Sequence, residues 1–443
     1  MKSRITIAML LCAGICLAQG LFQPTKVSTV HLSFTPEQFR DMSPGRSGNG
    51  GVNFGRGEWL QGPPGKRNGL ASAMGIEFKS VHGSITIDDR PFSDVAVRYK
   101  GNGTYLDAMA TRKFSYKVDL NKFIKGQTIA EVTTLNLHNN VTDPSWMNEP
   151  LSYRLYRDAK VPAPRTSYAR VYLTVPGKYD KHYAGLYSIV ENVDEHFIAR
   201  NFANKNGALF KPVSTNLFNY LGPDWAKYNQ TYDPKGTVTP EQKQRVIDFT
   251  RLVTQANDTE FAARLPEFVD LEEFARYMAV MVFLSDVDGI LGSGQNFYLY
   301  LDPKTQKFSF LPWDQDHSFG QFPYTGSQEQ RNDLSIHRPW IGRNRFLERV
   351  FAVDTFKKLY FARLEEFSRT IFEPQRFATQ VDETAAIIRP AVQEESKLDR
   401  FDRAVAGTSR SMVPIKPFVK LRAKSVADQL AGKSRGSHIE GRN

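Results

Sequence analysis

The chain has 443 residues, 41% hydrophobic, 24% charged and 12% aromatic, so it buries a large core and is too apolar and aromatic to stay disordered. Its net charge of +11 suits an anionic partner, but no dense Lys/Arg run interleaved with aromatics is present, which sets nucleic acid aside. Two cysteines are too few to staple a fold of this size.

MKSRITIAMLLCAGICLAQG opens the chain with Lys2 and Arg4, then an apolar run from Ile5 to Leu17, then small residues. That order predicts a secretory signal peptide over residues 1–18. Both cysteines, Cys12 and Cys16, fall inside it, so the exported protein relies on its core alone. A bacterial envelope or extracellular location follows. No later stretch reaches ~18 uninterrupted apolar residues, so no transmembrane span is expected. Residues 19–70 read as an N-terminal extension whose second half, 41–70, is rich in Gly, Pro and Asn.

Short alternating runs predict strands at 75–78, 83–87, 94–99 and 114–120, and a hairpin from 166–174 and 184–191. One early helix is predicted over 143–159. Asp143 caps it, Pro144 sits in its first turn, and Trp146, Met147, Leu151 and Leu155 form its apolar face. Pro150 should kink it. From residue 240 the periodicity becomes helical, at 240–255, 258–264, 271–284, 352–371, 377–397 and 415–430. A single hairpin, 296–301 with 307–311, interrupts these helices. The expected fold class is α+β and bilobal, with a β-rich lobe over 71–215 and a mainly helical lobe with that hairpin over 216–435. The C-terminal tail 436–443, GSHIEGRN, resembles a vector-derived scar and is left out of the fold.

Four segments carry candidate chemistry. VRYKGNGTY (97–105) runs a strand into Gly101-Asn102-Gly103, where backbone N–H groups can approach a phosphate, although a plain turn has the same composition. TRKFSYKVDL (111–120) offers Lys117, with Arg112 and Lys113 as rivals. LSDVDGILGSGQNFYLY (284–300) ends a buried helix in Asp286 and Asp288 and opens a strand at Asn296. FSFLPWDQDHSFG (308–320) closes the hairpin with Asp314 and Asp316. An Asp, an Asn eight residues on, and an Asp at the end of a hairpin are the parts that metal-dependent phosphoryl transfer needs. A carboxylate accepts the acceptor hydroxyl's proton, while an Asn oxygen and a second carboxylate hold a hard cation. Trp313 reads as a core anchor and His317 as structural. Glu191, Asp194 and Glu195 read as loop acids.

VRYKGNGT, LNLHNNVTDPSWMNEPLSYRLYRDAKVPAP, GLYSIVENVDEHF, GALFKP, QNFYLY and FLPWDQDHSFG together resemble the blocks of the spore-coat protein H (CotH) kinase family, over nearly all of residues 30–430. The resemblance implies an atypical, secreted, bilobal kinase that uses ATP and Mg²⁺, or Mn²⁺, on Ser/Thr of an extracytoplasmic protein such as a Ser/Thr-rich surface or coat protein. Carried over by position, Asp288 is the catalytic acid. Asn296 and Asp314 bind metal, with Asp316 as a second ligand. Gly101, Asn102 and Gly103 form the phosphate loop, Lys117 binds phosphate with Glu149 as its ion-pair partner, and Lys211 faces the nucleotide. Two other classes share these features: a non-catalytic surface or coat protein on the same fold, and a metal-dependent glycosyl- or nucleotidyl-transferase. Clustered acids at a partly buried place favour catalysis over a scaffold.

Overall fold

The computed structural model describes residues 20–44, 62, 69–101, 103–214, 216–407 and 413–441. The predicted signal peptide, with Cys12 and Cys16, and Asn102 of the glycine loop lie outside the described residues.

Seven strands close into a barrel: β1 (Val27–Ser33), β2 (Val81–Ile87), β3 (Arg90–Lys100), β4 (Ser115–Asp119), β5 (Thr134–His138), β6 (Thr166–Val175) and β7 (Tyr179–Glu191), in the order β1-β2-β3-β4-β5-β7-β6. Closure comes from β1, which pairs antiparallel with β2 and parallel with β6. β1 lies in the segment expected to be an extension, and its buried Val30 and Leu32 alternate with more open neighbours. Closing the sheet leaves no unpaired edge. The interior is filled at every second position by Ile85, Ile87, Val97, Tyr99, Tyr116, Val118, Leu135, Leu137, Val171 and Ile189.

That alternation has a consequence on the opposite face. Arg98, Lys100, Lys117, Asn136 and His138 interleave with the inward residues of β3, β4 and β5, so they project together away from the barrel core.

The rest of the chain is mostly helical around a second core, and it carries a three-stranded sheet β10-β9-β8 from β8 (Ala208–Phe210), β9 (Phe297–Leu301) and β10 (Phe308–Pro312). The expected hairpin is present, and β8 from the GALFKP block adds a third strand to it. Helix Leu271–Leu284 is buried almost throughout and runs directly toward the acids that follow it. Phe310 of β10 packs on Phe274, Tyr277 and Phe346, which seats the hairpin on that helix.

Several local expectations are corrected. Residues 75–78 form no strand: Gly75 closes the turn that follows helix Leu70–Ala73, and residues 76–78 join neither sheet. The helix expected from 143 starts at Asn148. Asp143 instead holds the preceding turn, accepting from the backbone N–H of Ser145 and Asn148 at 2.8 Å each. Pro150 then falls in the first turn, where a missing N–H costs nothing, so it does not interrupt the helix. A further early helix, Gly103–Thr111, begins at the second glycine of the pair. The tail is part of the fold: Ile439 is buried, Ser437 bridges to Leu334, and Gly342 N–H donates to the Ile439 carbonyl.

Glu273, on helix Leu271–Leu284, is remote from these features and nearly buried. Ser309 donates to it at 3.2 Å, but burial dominates and, with Asp270 nearby, pushes its carboxyl up to about 7 against the pull of Arg276. Between the ordinary value of 4.5 and about 7 the folded state therefore holds more protons than the unfolded state, so stability falls as pH climbs through that window. Glu273→Gln should flatten this slope and melt above the wild type at pH 8 while matching it near pH 4, read by thermal denaturation across pH.

Candidate functional site

Asn296 and Asp314 sit side by side at the open end of the β9–β10 hairpin, where Trp313 N–H donates to the Asn296 carbonyl at 3.1 Å. Both have left-handed backbones, φ 62° and 57°. Asn and Asp tolerate that region better than most residues, and local strain of this kind clusters where side chains must be aimed.

The helix before β9 ends at Leu284, and Ser285 turns left-handed to start the loop. Asp286 is buried and accepts from Gln315 Nε2 at 2.8 Å and from Asp288 N–H at 3.2 Å. Asn296 Nδ2 donates to Asp288 at Oδ2 (2.9 Å) and at its carbonyl (3.1 Å), so the amide oxygen of Asn296 points the other way. Glycine is required at Gly292, where a Cβ would overlap the Val287 carbonyl. Burial, together with Asp286, Asp316 and Asp314, pushes the Asp288 carboxyl up to about 8 against the pull of His317. Burial raises Asp286 and Asp316 to about 6. Asp314 is the exception. Burial would raise it, but the charges of Lys100, His138, Lys211 and His317 outweigh burial and hold it below the usual range.

The barrel supplies the facing wall. Lys100 Nζ meets His138 Nε2, and His138 Nδ1 meets Glu149 on helix Asn148–Asp158. Tyr153, one turn further, donates to Glu149 at 3.1 Å and accepts from Asp314 N–H at 2.9 Å. Thr142 donates to Asp316 Oδ2 at 2.6 Å, and Asn148 Nδ2 donates to the Asp316 carbonyl at 2.6 Å. These bonds tie both hairpin acids to the helix that carries Glu149.

Between the two walls lies a cavity of about 370 Å³. Lys100, Lys117, Lys211, Asn296, Trp313 and Asp314 line it. Lys100 and Lys211 lie over the Trp313 ring at 5.2 and 5.4 Å from its centroid. Trp313, expected to be a core anchor, is buried and also forms part of this wall. The volume and mixed lining suit a nucleotide-sized ligand.

Most sequence-selected residues converge here, in an arrangement the chain order does not reveal. Asp288, Asn296, Asp314 and Asp316 cluster, Lys211 and Gly101 line the cavity with Asn296 and Asp314, and Gly103 begins a helix. Glu149 does not meet Lys117: its partners are His138 and Tyr153, and Lys117 donates to Asn192 Oδ1 at 3.1 Å. Of the rivals to Lys117, Arg112 is exposed and Lys113 is buried against Glu395 at 2.8 Å. Glu191 is no loop acid. It is fully buried and held by Arg165 (2.8 Å) and Arg200. Asp194 caps helix Glu195–Asn201. His317 is half-buried among the acids and packs edge-on against Phe322.

Lys100 and His138 were missed from sequence. Lys100 sits two residues beyond Arg98 and out of phase with Val97 and Tyr99, which is the available signal. His138 is the last residue of a strand buried on both faces, where a polar side chain asks for a partner.

The donor chemistry fits a divalent cation. Asp314, Asp316 and the amide oxygen of Asn296 are hard oxygen ligands suited to Mg²⁺. His138, Glu149 and Asp314 also each offer one atom, all within 4.8 Å of one another, and the imidazole among them favours Mn²⁺ over Mg²⁺ at that alternative set.

A family model described as CotH kinase protein matches residues 97–426. A curated relative, inner spore coat protein H of Bacillus subtilis (strain 168), is 24% identical over 319 residues, covering 70% of this chain and 82% of its own length. Among solved structures, a complex of the toxin–antitoxin proteins HipA and HipB with operator DNA from Shewanella oneidensis MR-1 aligns with a TM-score of 0.28 and 9% identity. That alignment covers 72% of this chain and 58% of the other and carries no argument. No helix among the described residues is long and apolar enough to cross a membrane.

Proposed function

This chain belongs to the CotH kinase protein family, and from that premise we propose that it is an atypical protein kinase that transfers the γ-phosphate of ATP to Ser or Thr of an extracytoplasmic protein. The observation that supports this most is that Asn296 and Asp314 line a cavity of about 370 Å³ together with lysines, with Asp288 bonded directly behind Asn296. On this reading the barrel, residues 71–215 together with β1, is the β-rich lobe of a bilobal kinase-like fold, and residues 216–435 form the helical lobe. Residues 1–18 direct export, and the protein acts in a coat or envelope, as the name of the Bacillus subtilis relative implies for that protein.

Asp288 accepts the proton of the attacking hydroxyl. Its raised carboxyl suits a general base working near neutral pH, where basicity and the deprotonated fraction are balanced. Asp314, with Asp316 and Asn296, would hold Mg²⁺, or Mn²⁺, which when bound neutralises phosphate charge. Lys100 and Lys211 flank Asp314 and meet the same phosphates from the other side. Lys100 in turn is positioned through His138 by Glu149. Phosphoryl transfer asks the protein mainly for this placing of charges. A non-catalytic coat or adhesion role is disfavoured by the same geometry, since a scaffold gains nothing from burying four carboxylates side by side.

The test is transfer of label from ATP to the protein itself or to an acidic protein acceptor, with phospho-amino-acid analysis. Label on Ser or Thr that requires a divalent cation is the expected result. Absence of ATP binding by calorimetry, with no thermal shift, would hand the chain to the surface-protein reading.

A further inference from the structure

The corner where helix Pro374–Glu394 turns into helix Leu398–Val405 lies outside the cavity and presents a second concave surface. Ser396, left-handed at φ 57°, reverses the chain there, and the groove so formed holds about 470 Å³. Gln393, Lys397, Leu398, Asp399, Arg400 and Arg403 line it. Lys397, Arg400 and Arg403 are exposed, and the two arginines stand three residues apart on one face of the second helix.

The acids around this corner are taken up elsewhere. Glu394 pairs with Arg170 of β6 at 2.9 Å, and Asp402 pairs with Arg389 at 2.5 Å. Glu395 turns inward to Lys113 at 2.8 Å and accepts from the Leu186 N–H. Lys397, Arg400 and Arg403 form no ion pair among the described residues. Burial depresses the Lys113 ammonium, and Lys397 and Arg400 stand close enough to add to that depression against the pull of Glu395. The corner thus carries more positive charge than its own acids offset.

The frame beneath these cations is fixed. Phe401 is buried and meets Trp146 edge-on at 6.2 Å, with Arg389 over its ring at 5.4 Å. Gly185, at φ 124°, leaves room for Glu395, because a Cβ there would come within 2.6 Å of Glu395 Oε1. A charged surface held in this way has little freedom to lose on binding.

We propose that this groove docks an acidic polypeptide segment of a partner protein, away from the cavity assigned to phosphoryl transfer. Arginine and lysine grouped on one face recognise spaced carboxylates. Asp399 selects among anions: standing with the cations, it repels a surface of continuous negative charge, such as a phospholipid leaflet or a nucleic acid strand. A peptide can set an uncharged or basic residue opposite Asp399, and the half-buried Leu398 gives its side chains an apolar contact. A concave groove also suits a peptide better than a flat leaflet.

Fluorescence anisotropy on the full chain tests this with a labelled Glu/Ser peptide and its Lys/Ser counterpart. Single-stranded DNA and vesicles of phosphatidylglycerol in phosphatidylcholine are the other two probes. The wild type should bind the Glu/Ser peptide about tenfold or more tighter than the Lys/Ser peptide, and more weakly as salt rises. Lys397→Glu, Arg400→Glu and Arg403→Glu together should weaken that binding about tenfold or more and leave ATP binding unchanged. Asp399→Asn should tighten it about threefold. Absence of Glu/Ser binding, equal binding of the two peptides, or unchanged affinity in the triple variant overturns the proposal. Binding of vesicles or DNA without the Glu/Ser peptide also overturns it, in favour of a lipid or nucleic acid surface. If the triple variant fails to fold, Asp399→Asn decides, and an affinity that does not rise refutes docking here. ATP binding, read on the same preparations, judges the transfer site separately.

Discussion

Asp288→Ala should cut phosphoryl transfer by on the order of 10²–10⁴-fold, the usual worth of a positioned general base, while leaving affinity for Mg-ATP nearly unchanged. The split follows from where Asp288 sits. Its carboxylate is buried behind Asn296, whose Nδ2 holds Oδ2 at 2.9 Å, whereas Asn296 and Asp314 line the cavity itself. Asp288→Asn is the companion variant, because it keeps the bond pattern and removes the basicity. It should be as inactive as the alanine variant and closer to the wild type in melting temperature. An Asp288→Ala enzyme that bound ATP and turned over at the wild-type rate would remove Asp288 from the reaction.

Asp314→Ala should act on binding as well as rate. Asp314 is the one site acid whose carboxyl is held low, because Lys100, His138, Lys211 and His317 surround it. Without it those cations keep their pull on a polyphosphate and lose the group that would bring in a divalent cation. ATP binding measured without metal should therefore persist or tighten. The gain that Mg²⁺ confers on the wild type, about tenfold or more, should vanish, and turnover should fall by about 10³-fold or more. Calorimetric titration of ATP with Mg²⁺ and with a chelator, on both proteins, reads this directly. If Asp314→Ala kept its Mg²⁺ response, the set of His138, Glu149 and the remaining acids would become the better cation site.

The two variants differ because the hairpin and the helix end divide the work. β9 and β10 present Asn296 and Asp314 to the cavity, and helix Leu271–Leu284 delivers Asp288 from behind. Phe310 joins these elements through Phe274 and Tyr277 of that helix, so the spacing of the acids depends on packing some distance from them.

Read alone, the amino-acid sequence determined the parts that local chemistry controls. The period-2 run from Phe114 to Leu120 placed Lys117 opposite Tyr116 and Val118. The long apolar periodicity of 271–284 defined its helix to the residue, and the acids at 286, 288, 314 and 316 stood out against apolar flanks. Tertiary structure decided the pairings. Glu149 and Lys117 are each legible as a candidate, yet Glu149 turns to His138 and Lys117 to Asn192, because the packing of helix Asn148–Asp158 on β5 and the pairing of β5 with the more distant β7 decide which side chains meet. Likewise the alternation of β1 and the short tail near Ile439 do not announce their partners β6 and Leu334, which lie over a hundred residues away in the chain.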